Sequence, residues 1–214
     1  MQFKNIILEK KNRIAKITLN RPKALNAIDK DTHMELQAAL RDIEEDPEMR
    51  VVVITGTGRA FCAGADLKYI NELLGNPQKM AAFGQLFYDT YGMIENLSKP
   101  VIAAINGMAL AGGIELLEAC DIVIASEEAR IGDQHANFGL VPGGGGTQGR
   151  SRARRSRDPR TTCWRGHDRL LEDARRLLAG GPRATLGGAQ GCPRGPGPPG
   201  AQLLHPRRHR PPHA

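Results

Sequence analysis

"MALAGGIELLEACD" (residues 108–121) places Gly112 and Gly113 just before Ile114 and Glu115, ahead of an apolar run that ends at Asp121. The pattern reads as the start of a helix, where backbone N–H groups lack intrahelical partners. Glycine lets another molecule approach those groups closely. A carboxylate beside them can move a proton. Together, these features predict an anion-stabilising site with its own base.

The same design occurs once more upstream. "AGADLK" (63–68) follows the β-branched run "RVVVIT" (50–55), as "LAGGIE" (110–115) follows "PVIAAI" (100–105). Both runs read as strands covered on two faces. Each Gly-containing loop then leads into a helix whose dipole favours negative charge. Two such donors converging on one point would form an oxyanion hole. Either loop alone is weak evidence, since a Gly-rich strand–helix connection is more often only structural.

Around these loops, strand and helix patterns alternate. "FKNIILEK" (3–10) and "RIAKITL" (13–19) read as paired strands, and "NRPKALNA" (20–27) reads as a loop. "DTHMELQAALRDIEED" (31–46) carries Leu36, Leu40 and Ile43 on one helical face and stops before Pro47. Residues 80–97 place Phe83, Leu86, Thr90, Ile94 and Leu97 at helical spacing. "DIVIAS" (121–126) and "ARIG" (129–132) read as short strands, and "FGLVPGGGGTQ" (138–148) as a turn-rich segment. The expected class is α/β with parallel or mixed sheets. No internal repeat stands out.

Composition divides the chain near residue 148. Residues 1–148 hold 15 Lys and Arg against 19 Asp and Glu, whereas residues 149–214 hold 15 Arg, no Lys and 4 acids. The net charge of +7 therefore comes from the tail alone. That tail has 9 of the 14 prolines and none of the Ile, Val, Phe, Tyr or Met, so it has little with which to build a core. Only residues 168–179 show helical periodicity, through Leu170, Leu171, Ala174, Leu177 and Leu178.

Two origins fit such a tail. One is a reading-frame shift in a GC-rich gene, which would leave the chain an inactive or partial relative of an enzyme. The other is a basic segment that binds a polyanion. Its single aromatic, Trp164, gives little capacity for stacking on bases, so nucleic acid is the lesser expectation. Cys62 and Cys120 sit in no metal-binding or CxxC spacing and read as buried thiols. The expected setting is cytoplasmic, with no signal segment and no membrane span.

Four segments, "NRPKALNA", "FCAGADLK", "PVIAAINGMALAGGIELLEACD" and "FGLVPGGGGTQ", resemble in order and spacing the crotonase superfamily of enoyl-CoA hydratases and isomerases. The resemblance covers residues from about 3 to 148. It implies a spiral of ββα turns, an acyl-CoA thioester substrate, and a homotrimer or a dimer of trimers. It implies no metal and no separate cofactor, because coenzyme A is part of the substrate. The oxyanion-hole donors it implies are the amides of Ala65 and Gly112.

By the same resemblance, coenzyme A would lie along Lys23, Ala24 and Leu25 and over Ala63, Asp66, Leu67 and Lys68. The two lysines would face phosphates; as sequence they equally fit solvated surface positions. Glu115 matches the first catalytic glutamate of the hydratases. The place of the second falls on His135, with Asp133 and Gln134 beside it. A histidine can act as base or acid near neutral pH. Replacing a carboxylate with it leaves hydration, isomerisation and thioester hydrolysis all open.

Overall fold

The computed structural model describes residues 2–145. The tail from 149 to 214, with the helix expected over 168–179, lies outside the described residues.

Two antiparallel strands open the chain, β1 (Ile6–Lys11) and β2 (Ile14–Leu19), followed by a 3-10 turn at Pro22–Ala24. Helix α1 (Lys30–Glu45) begins at Asp29, whose carboxylate accepts from Thr32 N–H at 2.8 Å. Leu36, Leu40 and Ile43 are fully buried, as their spacing predicts. The chain then passes three times through one sequence of elements. Strand β3 (Val51–Gly56) leads into the short β4 (Ala60–Cys62), then α2 (Leu67–Leu73) and α3 (Pro77–Glu95). Strand β5 (Val101–Ile105) leads into β6 (Met108–Leu110) and α4 (Gly112–Glu118). Strand β7 (Ile122–Ala125) leads into β8 (Arg130–Gly132) and a 3-10 turn at Ala136–Phe138.

The long strands form one sheet in the order β1-β2-β3-β5-β7, and the short ones form a second in the order β4-β6-β8. Among the described residues, all the strand pairings apart from β1–β2 are parallel. The fold is thus a ββα spiral, with a structural repeat that no sequence repeat announces. The continuous apolar runs follow from burial on both faces. Val52, Ile54, Val101, Ala103 and Ile105 join the main core, while Val51, Val53, Ile102, Ala104 and Ile124 form a cluster on the opposite face.

The structure differs from the sequence reading in two places. Strands β4 and β6 fall in stretches that read as loops. Three residues beside glycines carry no periodicity, and only parallel pairing of successive turns defines them as strands. Helix α3 buries Phe83, Phe87, Thr90, Tyr91 and Ile94, while Leu86 and Leu97 are only partly buried. No helix among the described residues is long and apolar enough to cross a membrane.

Candidate active site

The site forms where two successive turns of the spiral end. β4 and β6 are paired, so the loops that follow them lie side by side. Ala65 makes a parallel bridge to Ile28, in which Ile28 N–H donates to Gly64 O at 2.8 Å and Asp66 N–H to Ile28 O at 2.9 Å. In an extended segment successive amides alternate in direction, so the Ala65 N–H faces away from Ile28. A Cβ placed on Gly112 would lie 3.5 Å from Ala65 N, and one placed on Gly64 would lie 2.9 Å from Gly112 N. Neither the Ala65 nor the Gly112 amide donates a backbone hydrogen bond to another described residue.

The two glycines that open α4 do different work. A Cβ on Gly113 would meet the Cys62 carbonyl oxygen at 2.2 Å, so this glycine lets the first helical turn pack directly on β4. Gly112 is the one that lies against the neighbouring loop. Before it, Ala111 takes φ +48°, which side-chain-bearing residues rarely adopt, and donates its N–H to Gly132 O at 3.3 Å. The Tyr91 hydroxyl donates to Gly112 O at 2.8 Å. Burial pushes that phenol well above its ordinary range, so it remains a donor.

Glu115, on the first turn of α4, is 4% exposed. Its Oε1 accepts from Gly144 N–H at 2.8 Å, and its Oε2 lies 3.5 Å from Nε2 of His135. His135 is buried as well, and its Nδ1 lies 2.8 Å from Oδ1 of Asp133. The "VPGGG" turn (141–145) thus closes over the glutamate. A Cβ at Gly144 would meet the Tyr91 ring at 2.6 Å and the Glu115 carboxyl carbon at 3.2 Å. The structure therefore brings together Glu115 and His135, residues separated by a full turn of the spiral.

The positions expected to meet coenzyme A fall in two groups. Lys23, Leu67 and Lys68 are exposed, and Ala24, Leu25 and Ala63 are partly buried. The two segments adjoin, because Ala63 N–H donates to Leu25 O at 3.1 Å. Asp66 is buried and already engaged: it caps α2 by accepting from Lys68 N–H and Tyr69 N–H, and it pairs with Arg21 at 2.8 Å. The same guanidinium pairs with Asp29 at 2.9 Å.

Sequence reasoning missed Arg21, Asn26 and Tyr91. Asn26 is 1% exposed, accepts from Arg21 N–H, and donates to Thr57 O and Ala60 O. It pins the 20–27 loop against the start of β4. Its position in "NRPKALNA" is visible in the sequence; its acceptors Thr57 and Ala60, more than 30 residues away, are not.

A ββα spiral whose paired loops bring two backbone amides beside a buried glutamate defines an enzyme-type scaffold of the crotonase superfamily. The sequence profile described as Enoyl-CoA hydratase/isomerase matches residues 9–163, further than the quoted motifs, which end at Gln148. The chain belongs to that family. It is 46% identical over 153 residues to a short-chain-enoyl-CoA hydratase of Clostridium acetobutylicum, covering 71% of this chain and 58% of that one. It is 43% identical over 149 residues to a crotonyl-CoA hydratase of Syntrophomonas wolfei, covering 69% and 56%. An enoyl-CoA hydratase structure from Bacillus anthracis superposes with a TM-score of 0.66 at 42% identity, covering 70% of this chain and 58% of that one. The chain thus spans under three fifths of the length of these relatives.

Proposed function

We propose that this site adds water to a short 2-enoyl-CoA thioester, or shifts its double bond, through an enolate held by the Ala65 and Gly112 amides. The observation that carries the reading is the Glu115–His135 pair, buried at 3.5 Å beside the loops that bear those amides. A thioester α-carbon is only weakly acidic. Donors placed where negative charge develops on the carbonyl oxygen therefore lower the barrier more than they tighten ground-state binding. In hydration, the water oxygen bonds to the β-carbon as its proton passes to the Glu115 carboxylate. His135 then supplies a proton to the α-carbon as the enolate collapses.

Lys23 and Lys68 are exposed ammonium groups on adjoining segments, suited to the phosphates of coenzyme A. Ala24, Leu25, Ala63 and Leu67 offer the surface between them. Asp66 serves this reading by holding the Ala65 loop through Arg21. The associated assembly is a homotrimer or a pair of trimers in the cytoplasm, and light scattering reads its size.

The test is incubation of the full chain with crotonyl-CoA and with a 3-enoyl-CoA, following the conjugated thioester by absorbance. Hydration or double-bond shift is expected, and Glu115→Gln should lower kcat by about 10²-fold or more. Absence of turnover on both thioesters overturns the reading, as does full activity in Glu115→Gln.

A further inference from the structure

We propose that Asp133 is a positioning residue that keeps a proton on Nδ1 of His135, so that Nε2 is the nitrogen exchanging protons with Glu115. The inference rests on the reading above for its catalytic meaning, but its geometry stands by itself. Oδ1 of Asp133 lies 2.8 Å from Nδ1 and also accepts the backbone N–H of His135 at 3.0 Å. A carboxylate can only accept, so the ring nitrogen facing it must carry hydrogen. The opposite nitrogen then faces Oε2 of Glu115. The backbone that carries the ring is also held, because the carbonyl of His135 accepts from Phe138 N–H and Leu140 N–H. Asp133 and Glu115 therefore flank one imidazole on its two edges. Tyr91 is the neutral donor nearby, bound to Gly112 O and close to the turn that carries Gly144.

This arrangement gives a proton count that resets itself. With Glu115 ionised, His135 carries hydrogen on both nitrogens and sits between two carboxylates. After water adds, Glu115 holds the proton taken from water, and Nε2 has given its proton to the α-carbon. The two groups then differ from their starting state by one proton exchanged across the 3.5 Å gap. Its transfer from Oε2 to Nε2 restores the site without solvent. Asp133 takes no proton itself; by accepting from Nδ1 it leaves Nε2 as the nitrogen that exchanges protons with Glu115.

The experiment uses the full chain labelled with ¹⁵N histidine, with the His135 signals identified by their loss in His135→Gln. In the wild-type chain, Nδ1 of His135 is expected to read as protonated. In Asp133→Ala that signature should be lost, with the far-ultraviolet circular dichroism unchanged. Asp133→Asn keeps an acceptor for both N–H groups. It should retain the Nδ1 proton while lowering kcat on crotonyl-CoA by about 10- to 100-fold with little change in KM. An unprotonated Nδ1 in the wild-type chain, or an unchanged signature in Asp133→Ala, overturns the proposal. Because the nitrogen signals need no turnover, an intact signature in a chain without activity would overturn the hydration reading and leave this one standing.

Discussion

His33 shows how much one side chain can impose on the molecule's response to pH. It is fully buried on α1, beside the rings of Phe83, Phe87 and Tyr91, with Nδ1 2.9 Å from the Thr90 hydroxyl. Burial pushes its pKa from 6.5 down to about 3, against a smaller upward pull from Asp29. The folded chain holds this ring neutral while the unfolded chain protonates it below pH 6.5. Stability is therefore complete above that value and falls as pH drops toward 3, by about 1.4 kcal/mol per pH unit for the one proton. His33→Asn, which keeps an acceptor toward Thr90, should show a shallower loss. Urea midpoints measured between pH 4 and 7 check this, and parallel curves for the two proteins would refute it.

The loops that bear the site owe their shape to one charged cluster. Arg21 binds Asp29, the cap of α1, and Asp66, the cap of α2, so a single guanidinium ties both helix starts to the 20–27 loop. Burial pushes the Asp66 carboxyl up, but Arg21 and the amides of Tyr69 and Lys68 outweigh it and hold it below its usual 3.8. That contribution is present above about pH 4 and is lost as pH falls through the lowered pKa, below most of the His33 window. Asp66→Ala should cost about 2 kcal/mol, from the lost cap and from Arg21 left with Asp29 alone. Asp66→Asn should flatten the acid limb of the stability curve below pH 4. Chemical denaturation at pH 7 and at pH 3.5 measures both effects. An equal loss for wild type and Asp66→Asn between those values would refute the linkage.

For the whole molecule, the site depends on successive turns of the spiral staying in register, so a ligand that bridges them should stabilise the fold. Lys23 lies before α1, Lys68 on α2 and Glu115 on α4, and the thioester would touch all three segments. At a concentration 100 times its dissociation constant, crotonyl-CoA should add about 2.7 kcal/mol to the unfolding free energy of the full chain. A crotonyl thioester of pantetheine lacks the nucleotide phosphates and should add less. Unfolding curves with each thioester decide the matter, and no shift with either would remove the binding reading. The charge of the chain is distributed unevenly along the sequence: 15 arginines and 4 acids follow residue 148, against a slight acidic excess before it.

The sequence by itself determined the fold class and the motif order, and its resemblance to the crotonase superfamily supplied Glu115, His135, Ala65 and Gly112 as candidates. Local chemistry is enough for the elements: β-branched runs declare buried strands, caps and glycines declare helix starts, and the Leu36–Leu40–Ile43 spacing declares a face. Only the tertiary structure decided which of these meet. Strands β4 and β6 exist because β4 pairs with β6 and β6 with β8, and the β4–β6 pairing is what sets the Ala65 and Gly112 loops side by side. The division of labour between Gly112 and Gly113 depends on the Cys62 carbonyl, about fifty residues upstream in sequence. The Asp133–His135–Glu115 line joins a turn after β8 to the first turn of α4. Contacts between residues that the chain separates and the spiral reunites leave no periodicity in sequence, because each partner's local pattern is satisfied without the other.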